Sequence, residues 1–196
     1  MNAKLYDFLR PIVGAYCRLI WGVRPIGVEH INRSGGLVLC CNHIHALDPF
    51  VLAVCMRRHV RFMAKAELFK NRLVGAVITA IGAFPIRRGE SDLTAVRTSI
   101  SLLQQGHVLG IFPQGTRSRE NERTHIEPGV AMIALRAGVP VVPAYIDGPY
   151  RLFRRTRVIF GAPVSLEDLG RRFDRETLEK ASGRIADAIW ALKPQQ

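Results

Sequence analysis

The chain has 196 residues, 48% hydrophobic and 22% charged, a balance that excludes disordered and collagen-like polypeptides and suffices for one full core, so a single domain over residues 1–196 is expected. Its 28 Lys and Arg against 16 Asp and Glu leave a formal charge of +12, which attracts anionic lipid, an acidic carrier protein or nucleic acid. The cations lie scattered in small clusters such as Arg57/Arg58, Arg151/Arg154/Arg155 and Arg171/Arg172; without a stacking platform of aromatics, nucleic acid is not expected as a partner.

Residues 1–24 form an N-terminal segment in which Leu5, Phe8, Leu9, Ile12, Val13, Tyr16, Leu19, Ile20 and Val23 recur at helical spacing, with Lys4, Asp7, Gly14 and Arg18 opposite. An amphipathic helix of this kind either packs on the protein's own core or lies in a membrane interface with Trp21 at headgroup level. Pro11 either kinks it or marks its start. Asp7, Arg10 and Arg18 interrupt the stretch, which falls short of the roughly 20 uncharged apolar residues that span a bilayer.

From Gly36 onward, apolar runs of strand length alternate with helical patterns, which predicts an α/β fold with a central mixed, largely parallel sheet flanked by helices. Strands are expected near Leu37–Cys41, Val60–Ala64, Gly82–Ile86, Val108–Phe112, Val139–Ile146 and Arg157–Val164. Helices are expected at Pro49–Arg58, Leu68–Ala80, Asp92–Gln105, Pro128–Ala137 and Arg175–Leu192, with Ser91 capping the third of these and Gly106 ending it. The cysteines Cys17, Cys40, Cys41 and Cys55 sit in apolar runs without a Cys-x-x-Cys spacing, so neither a disulfide frame nor a zinc knuckle is indicated, and a reducing compartment fits.

Two polar strings carry the chemistry. NHIHALDP, Asn42 to Pro49, offers a base: His43 and Asp48 are five positions apart, roughly 140° on a regular helix, so a turn must join them. Pro49 at the first helical position would leave Asp48 outside the helix as its cap, able to accept from one ring nitrogen of His43 and turn the other to substrate. FPQGTRS, Phe112 to Ser118, offers an anion grip, with Gln114, Gly115, Thr116 and Arg117 at a strand end. Lys65 and Arg87 follow two further strands, and in open α/β sheets the carboxyl edge is where ligands bind. No Gly-x-Ser-x-Gly elbow occurs to supply a serine, so if the dyad is catalytic the attacking hydroxyl must come from the substrate. His45 beside His43 and Asp48 also resembles part of a metal site, the basis of an alternative as a metal-dependent hydrolase. None of His59, His107 and His125 lies at a familiar ligand spacing, and no metal ligand is assigned.

These residues resemble the glycerolipid acyltransferase superfamily, most closely the lysophosphatidic acid acyltransferases, over about residues 36 to 165. Four ordered blocks carry the resemblance: Asn42, His43, Asp48 and Pro49; Gly82, Phe84 and Arg87; FPQGTRS against the family's FPEGTRS; and Val139, Pro140 and Pro143. FMAKAEL, which contains Lys65, resembles the family as well. The resemblance implies a glycerol-3-phosphate acyltransferase-like fold. It implies transfer of an acyl group from acyl-carrier protein or acyl-coenzyme A to the sn-2 hydroxyl of 1-acylglycerol 3-phosphate (lysophosphatidic acid). The product is phosphatidic acid, and no metal or other cofactor takes part. His43 would be general base with Asp48 holding its ring, and Lys65, Arg87, Gln114, Gly115, Thr116 and Arg117 would bind substrate. Two departures stand out: Gln114 replaces the family's glutamate and His45 its frequent serine, so another lysophospholipid or glycerol 3-phosphate remains an alternative acceptor. The expected location is the cytoplasmic face of the cell membrane, as a peripheral or monotopic protein on an anionic membrane surface.

Overall fold

The computed structural model describes residues 2–87, 92–115, 126–170 and 173–195. In chain order the elements are α1 (Ala3–Trp21), β1 (Arg24–Ile26), β2 (Leu37–Cys41), α2 (Asp48–Cys55), β3 (Val60–Lys65), α3 (Arg72–Ala80), β4 (Phe84–Ile86), α4 (Leu93–Gln104), β5 (Val108–Ile111), α5 (Gly129–Ala137), β6 (Val141–Asp147), β7 (Arg157–Phe160) and α6 (Arg175–Ala191). The strands form a seven-stranded sheet in the order β1-β7-β6-β2-β5-β3-β4. β6, β2, β5, β3 and β4 run parallel, β7 runs antiparallel to β6, and β1 pairs parallel with β7. The predicted mixed, largely parallel sheet is therefore present.

β2 shows why the sheet forms. LVLCC has no polar position because both its faces are covered: all five residues are buried, as expected of a central parallel strand. Leu37, Leu39 and Cys41 face a cluster with Cys17 of α1 and Val51 and Leu52 of α2. Val38 and Cys40 face the other layer, with Leu103 of α4, Ile133 of α5 and Ile185 and Ile189 of α6. Burying each large aliphatic side chain of this kind contributes about 1.5–3 kcal/mol.

The N-terminal helix is continuous through Pro11, running from an Asn2 cap, whose Oδ1 accepts from Leu5 N, to Gly22 in the left-handed region at φ 54°. Its wide apolar surface is divided. Tyr6, Gly14 and Cys17 face the core, Gly14 lying against Val54 of α2, while Leu5, Phe8, Ile12, Tyr16 and Leu19 are exposed. Arg10 is pinned to α2's carboxyl end by bonds to the Met56 and Arg57 carbonyls. Among the described residues no helix is long and apolar enough to cross a membrane.

Some local expectations are corrected. Asp48 is the first helical residue of α2 rather than its cap; Leu47 takes the cap position, and the Asp48 carboxylate turns back into the preceding loop. Helix α4 is capped by Asp92, whose Oδ1 accepts from Ala95 N, and Ser91 lies outside the described residues. β4 begins at Phe84, because Gly82, at φ 92°, closes the end of α3 through its N–H bond to the Thr79 carbonyl. β7 ends at Phe160, with Val164 making only an isolated bridge to Val141.

Candidate active site

The four strands that carry the motifs, β2, β3, β4 and β5, are mutually parallel, so the residues that follow them gather at one edge of the sheet. Lys65 is the exposed last residue of β3, in register with Ile86, and Arg87 follows β4 immediately. Arg87 N donates to Asp92 Oδ2 at 2.9 Å. The Asp92 carboxyl is held below its ordinary range by the backbone N–H groups of Arg87 and Ala95, in that order. Gln114 and Gly115 form the turn after β5; Thr116 and Arg117 lie outside the described residues.

The edge is built around His43. Asn42, just beyond β2, accepts from Ile146 N at 2.7 Å and donates to the Ile146 carbonyl at 3.0 Å. A side chain thus continues the β2–β6 ladder for one more step and fixes where the chain leaves the sheet. His43 N donates to Gln114 Oε1 at 2.8 Å, so the glutamine ties the β2 loop to the β5 turn. The imidazole stacks on Phe112, centroids 4.1 Å apart at 21°, and Phe112 stacks in turn on Phe62, 5.9 Å away at 10°. Gly110 makes that arrangement possible: a Cβ there would collide with the Phe62 ring.

His43 Nδ1 lies 2.7 Å from Asp48 Oδ2. The same oxygen accepts from Ile44 N at 2.7 Å and His45 N at 2.8 Å, and Oδ1 accepts from the Tyr150 hydroxyl at 2.8 Å. Four donors around one carboxyl group with no exposed side-chain surface are what an ionised carboxylate needs in the interior. Against such an acceptor the proton is assigned to Nδ1, leaving Nε2 with its lone pair. The His43 side chain keeps 11% exposure while Asp48 has 0%, so a hydroxyl can reach the imidazole and not the acid.

Burial, and then the Asp48 charge, push the Tyr150 hydroxyl upward, so it stays a donor. Burial likewise raises the Cys40 and Cys41 thiols and pushes Cys55 up to about 12. Described cysteines near the site are therefore thiols rather than thiolate nucleophiles. His45 is exposed, and its Nδ1 accepts from Leu47 N at 3.2 Å. Among the described residues no three His, Cys, Asp or Glu side chains are grouped to hold a metal ion.

Sequence reasoning missed Phe112 as the platform under the imidazole and Tyr150 as the second anchor of Asp48. Phe112 sat in view within FPQGTRS. Tyr150 is 102 residues from Asp48 in a stretch with no motif, and only the fold joins them.

The family model described as Acyltransferase matches residues 22–147. The 1-acyl-sn-glycerol-3-phosphate acyltransferase of Bacillus subtilis is 31% identical over 96% of this chain and 97% of its own. That of Streptococcus pneumoniae is 31% identical over 94% of this chain and 71% of its own. The crystal structure of the 1-acyl-sn-glycerophosphate acyltransferase from Thermotoga maritima superposes with a TM-score of 0.71 at 24% identity, covering 99% of this chain and 83% of that one, and shares the fold.

Proposed function

Since this chain belongs to the acyltransferase family, we propose that it transfers an acyl group from a thioester, acyl-carrier protein or acyl-coenzyme A, to the sn-2 hydroxyl of 1-acylglycerol 3-phosphate, giving phosphatidic acid. The observation that carries the reading is the 2.7 Å contact between His43 Nδ1 and the sealed carboxylate of Asp48. Nε2 takes the proton of the lipid hydroxyl as its oxygen attacks the thioester carbon. The tetrahedral intermediate collapses with cleavage of the C–S bond, and the proton passes from the imidazolium to the departing sulfur. No cofactor is consumed, and both substrates must be held together for the attack, which is where much of the rate gain is expected to arise.

Lys65 and Arg87, with Gln114, Gly115, Thr116 and Arg117, are the proposed grip on substrate, chiefly the 3-phosphate. β4 is three strand spacings from β2, roughly 14 Å at the backbone, a span that a long arginine side chain and a glycerol phosphate bridge together. The exposed apolar row of α1, flanked by Lys4 and Arg18, supports peripheral seating on an anionic membrane surface at the cytoplasmic face, where the lipid acceptor resides. Incubating the protein with a radiolabelled acyl thioester and lysophosphatidic acid, then identifying the lipid product, tests the reading. Labelled phosphatidic acid is expected, and an unlabelled lipid fraction with wild-type protein would refute it.

A further inference from the structure

Tyr150 is held from three sides. Its hydroxyl donates to Asp48 Oδ1 at 2.8 Å. Its ring meets Trp21 edge-on, 5.8 Å away at 60°, and it meets His45 at 5.5 Å and 69°. The chain that follows is strapped to the carboxyl end of α1: Phe153 N donates to the Ile20 carbonyl at 2.8 Å and Thr156 N to the Trp21 carbonyl at 3.1 Å. The strap passes so close to Gly22 that a Cβ there would lie 2.9 Å from the Arg154 carbonyl oxygen. A ring so confined offers its hydroxyl in one direction.

Asp48 needs that donor. Its Oδ2 is committed to His43, Ile44 and His45, and these bonds alone leave the carboxylate free to pivot about Oδ2. A fixed donor at Oδ1 removes the pivot and sets the plane in which Nδ1–H is received. We propose that Tyr150 is a positioning residue of the acyl-transfer reaction, holding through Asp48 the imidazole of His43 in the orientation from which Nε2 receives the proton. The inference rests on the proposed role of the dyad. A buried tyrosine that merely found a partner would, when altered, lower stability and leave turnover alone.

Tyr150→Phe keeps the ring and deletes the hydroxyl. Acyl transfer from radiolabelled palmitoyl thioesters of coenzyme A and of acyl-carrier protein is measured in the full-length variant beside His43→Ala. The expected result is a fall in kcat of between about ten- and a hundredfold, with KM for both substrates within about twofold of wild type. With the Oδ1 donor gone, Oδ2 accepts more strongly, so the proton resonance of His43 Nδ1–H moves downfield. Wild-type kcat in Y150F with an inactive H43A overturns the role of Tyr150 alone; full activity in H43A overturns the dyad beneath it. If Y150F does not fold, 3-fluorotyrosine at position 150, a stronger donor of the same shape, must shift that resonance upfield. A resonance that stays in place there also overturns the proposal.

Discussion

Phe112 lies under the ring of His43 at 4.1 Å, nearly parallel to it, and is itself backed by Phe62. An imidazole held on one edge by Asp48 and on one face by an aromatic ring has little freedom to turn away from substrate. Phe112→Ala removes the face and leaves the hydrogen bond. We expect kcat to fall roughly tenfold or more with a small change in KM, and Phe112→Leu to recover part of the loss. Steady-state kinetics on the two variants makes the comparison.

Gly110→Ala acts on the same stack from a distance. The added methyl meets the Phe62 ring, so Phe62 or β5 must shift. A loss of about 1–3 kcal/mol in urea unfolding is expected from overpacking, together with reduced turnover, although Gly110 touches no substrate in the proposed mechanism. A variant of wild-type stability and turnover would mean that Phe62 can move without disturbing Phe112.

Asp48→Asn replaces an acceptor of four hydrogen bonds by an amide that cannot satisfy the same set. Activity is expected to drop on the order of a thousandfold or more. Stability should also fall, by about 1–3 kcal/mol, because buried donors are left unpaired. Unfolding curves and single-turnover acyl transfer separate the two effects.

Burial raises the Cys40, Cys41 and Cys55 thiols above their ordinary 9.0 and the Tyr150 hydroxyl above its ordinary 10.0. The sign follows directly. These groups stay protonated in the folded chain after they have ionised in the unfolded one, so their contribution is complete below about pH 9 and is lost as pH rises beyond it. The urea midpoint should therefore decline between pH 9 and 11, and iodoacetamide at pH 8 should leave native Cys40 and Cys41 unlabelled. Rapid alkylation of either without unfolding would contradict the assignment.

Much of this was legible in the sequence, and the parts that were not have specific causes. β2 is legible at its observed limits because a strand buried on both faces leaves an unbroken apolar run. β1 is not legible: Arg24–Ile26 is three residues long, contains Pro25 and is exposed throughout, so neither alternation nor burial marks it. The dyad could be named from His43, Asp48 and Pro49, but not its geometry. Asp48 enters the helix instead of capping it because its carboxylate is needed by Ile44 and His45 in the loop behind. The α1 pattern gave the helix and its full apolar width. The division of that width between core and solvent depends on α2, whose Val54 receives Gly14. Tyr150 became visible only with the sheet order, which sets the end of β6 beside β2.

The exposed row on α1 gives a further expectation. Replacing Phe8, Ile12 and Leu19 by Ser removes apolar surface that the folded chain does not bury. Stability should change by about 0.5 kcal/mol or less per site, while cosedimentation with phosphatidylglycerol vesicles should fall several-fold. Undiminished binding would place the lipid contact elsewhere.

The account rests on Nε2 of His43 as the base that deprotonates the lipid hydroxyl, and His43→Ala tests it most directly. With labelled acyl thioester and lysophosphatidic acid, the folded variant is predicted to form product at least about a thousandfold more slowly than wild type. Product formation at the wild-type rate would contradict it.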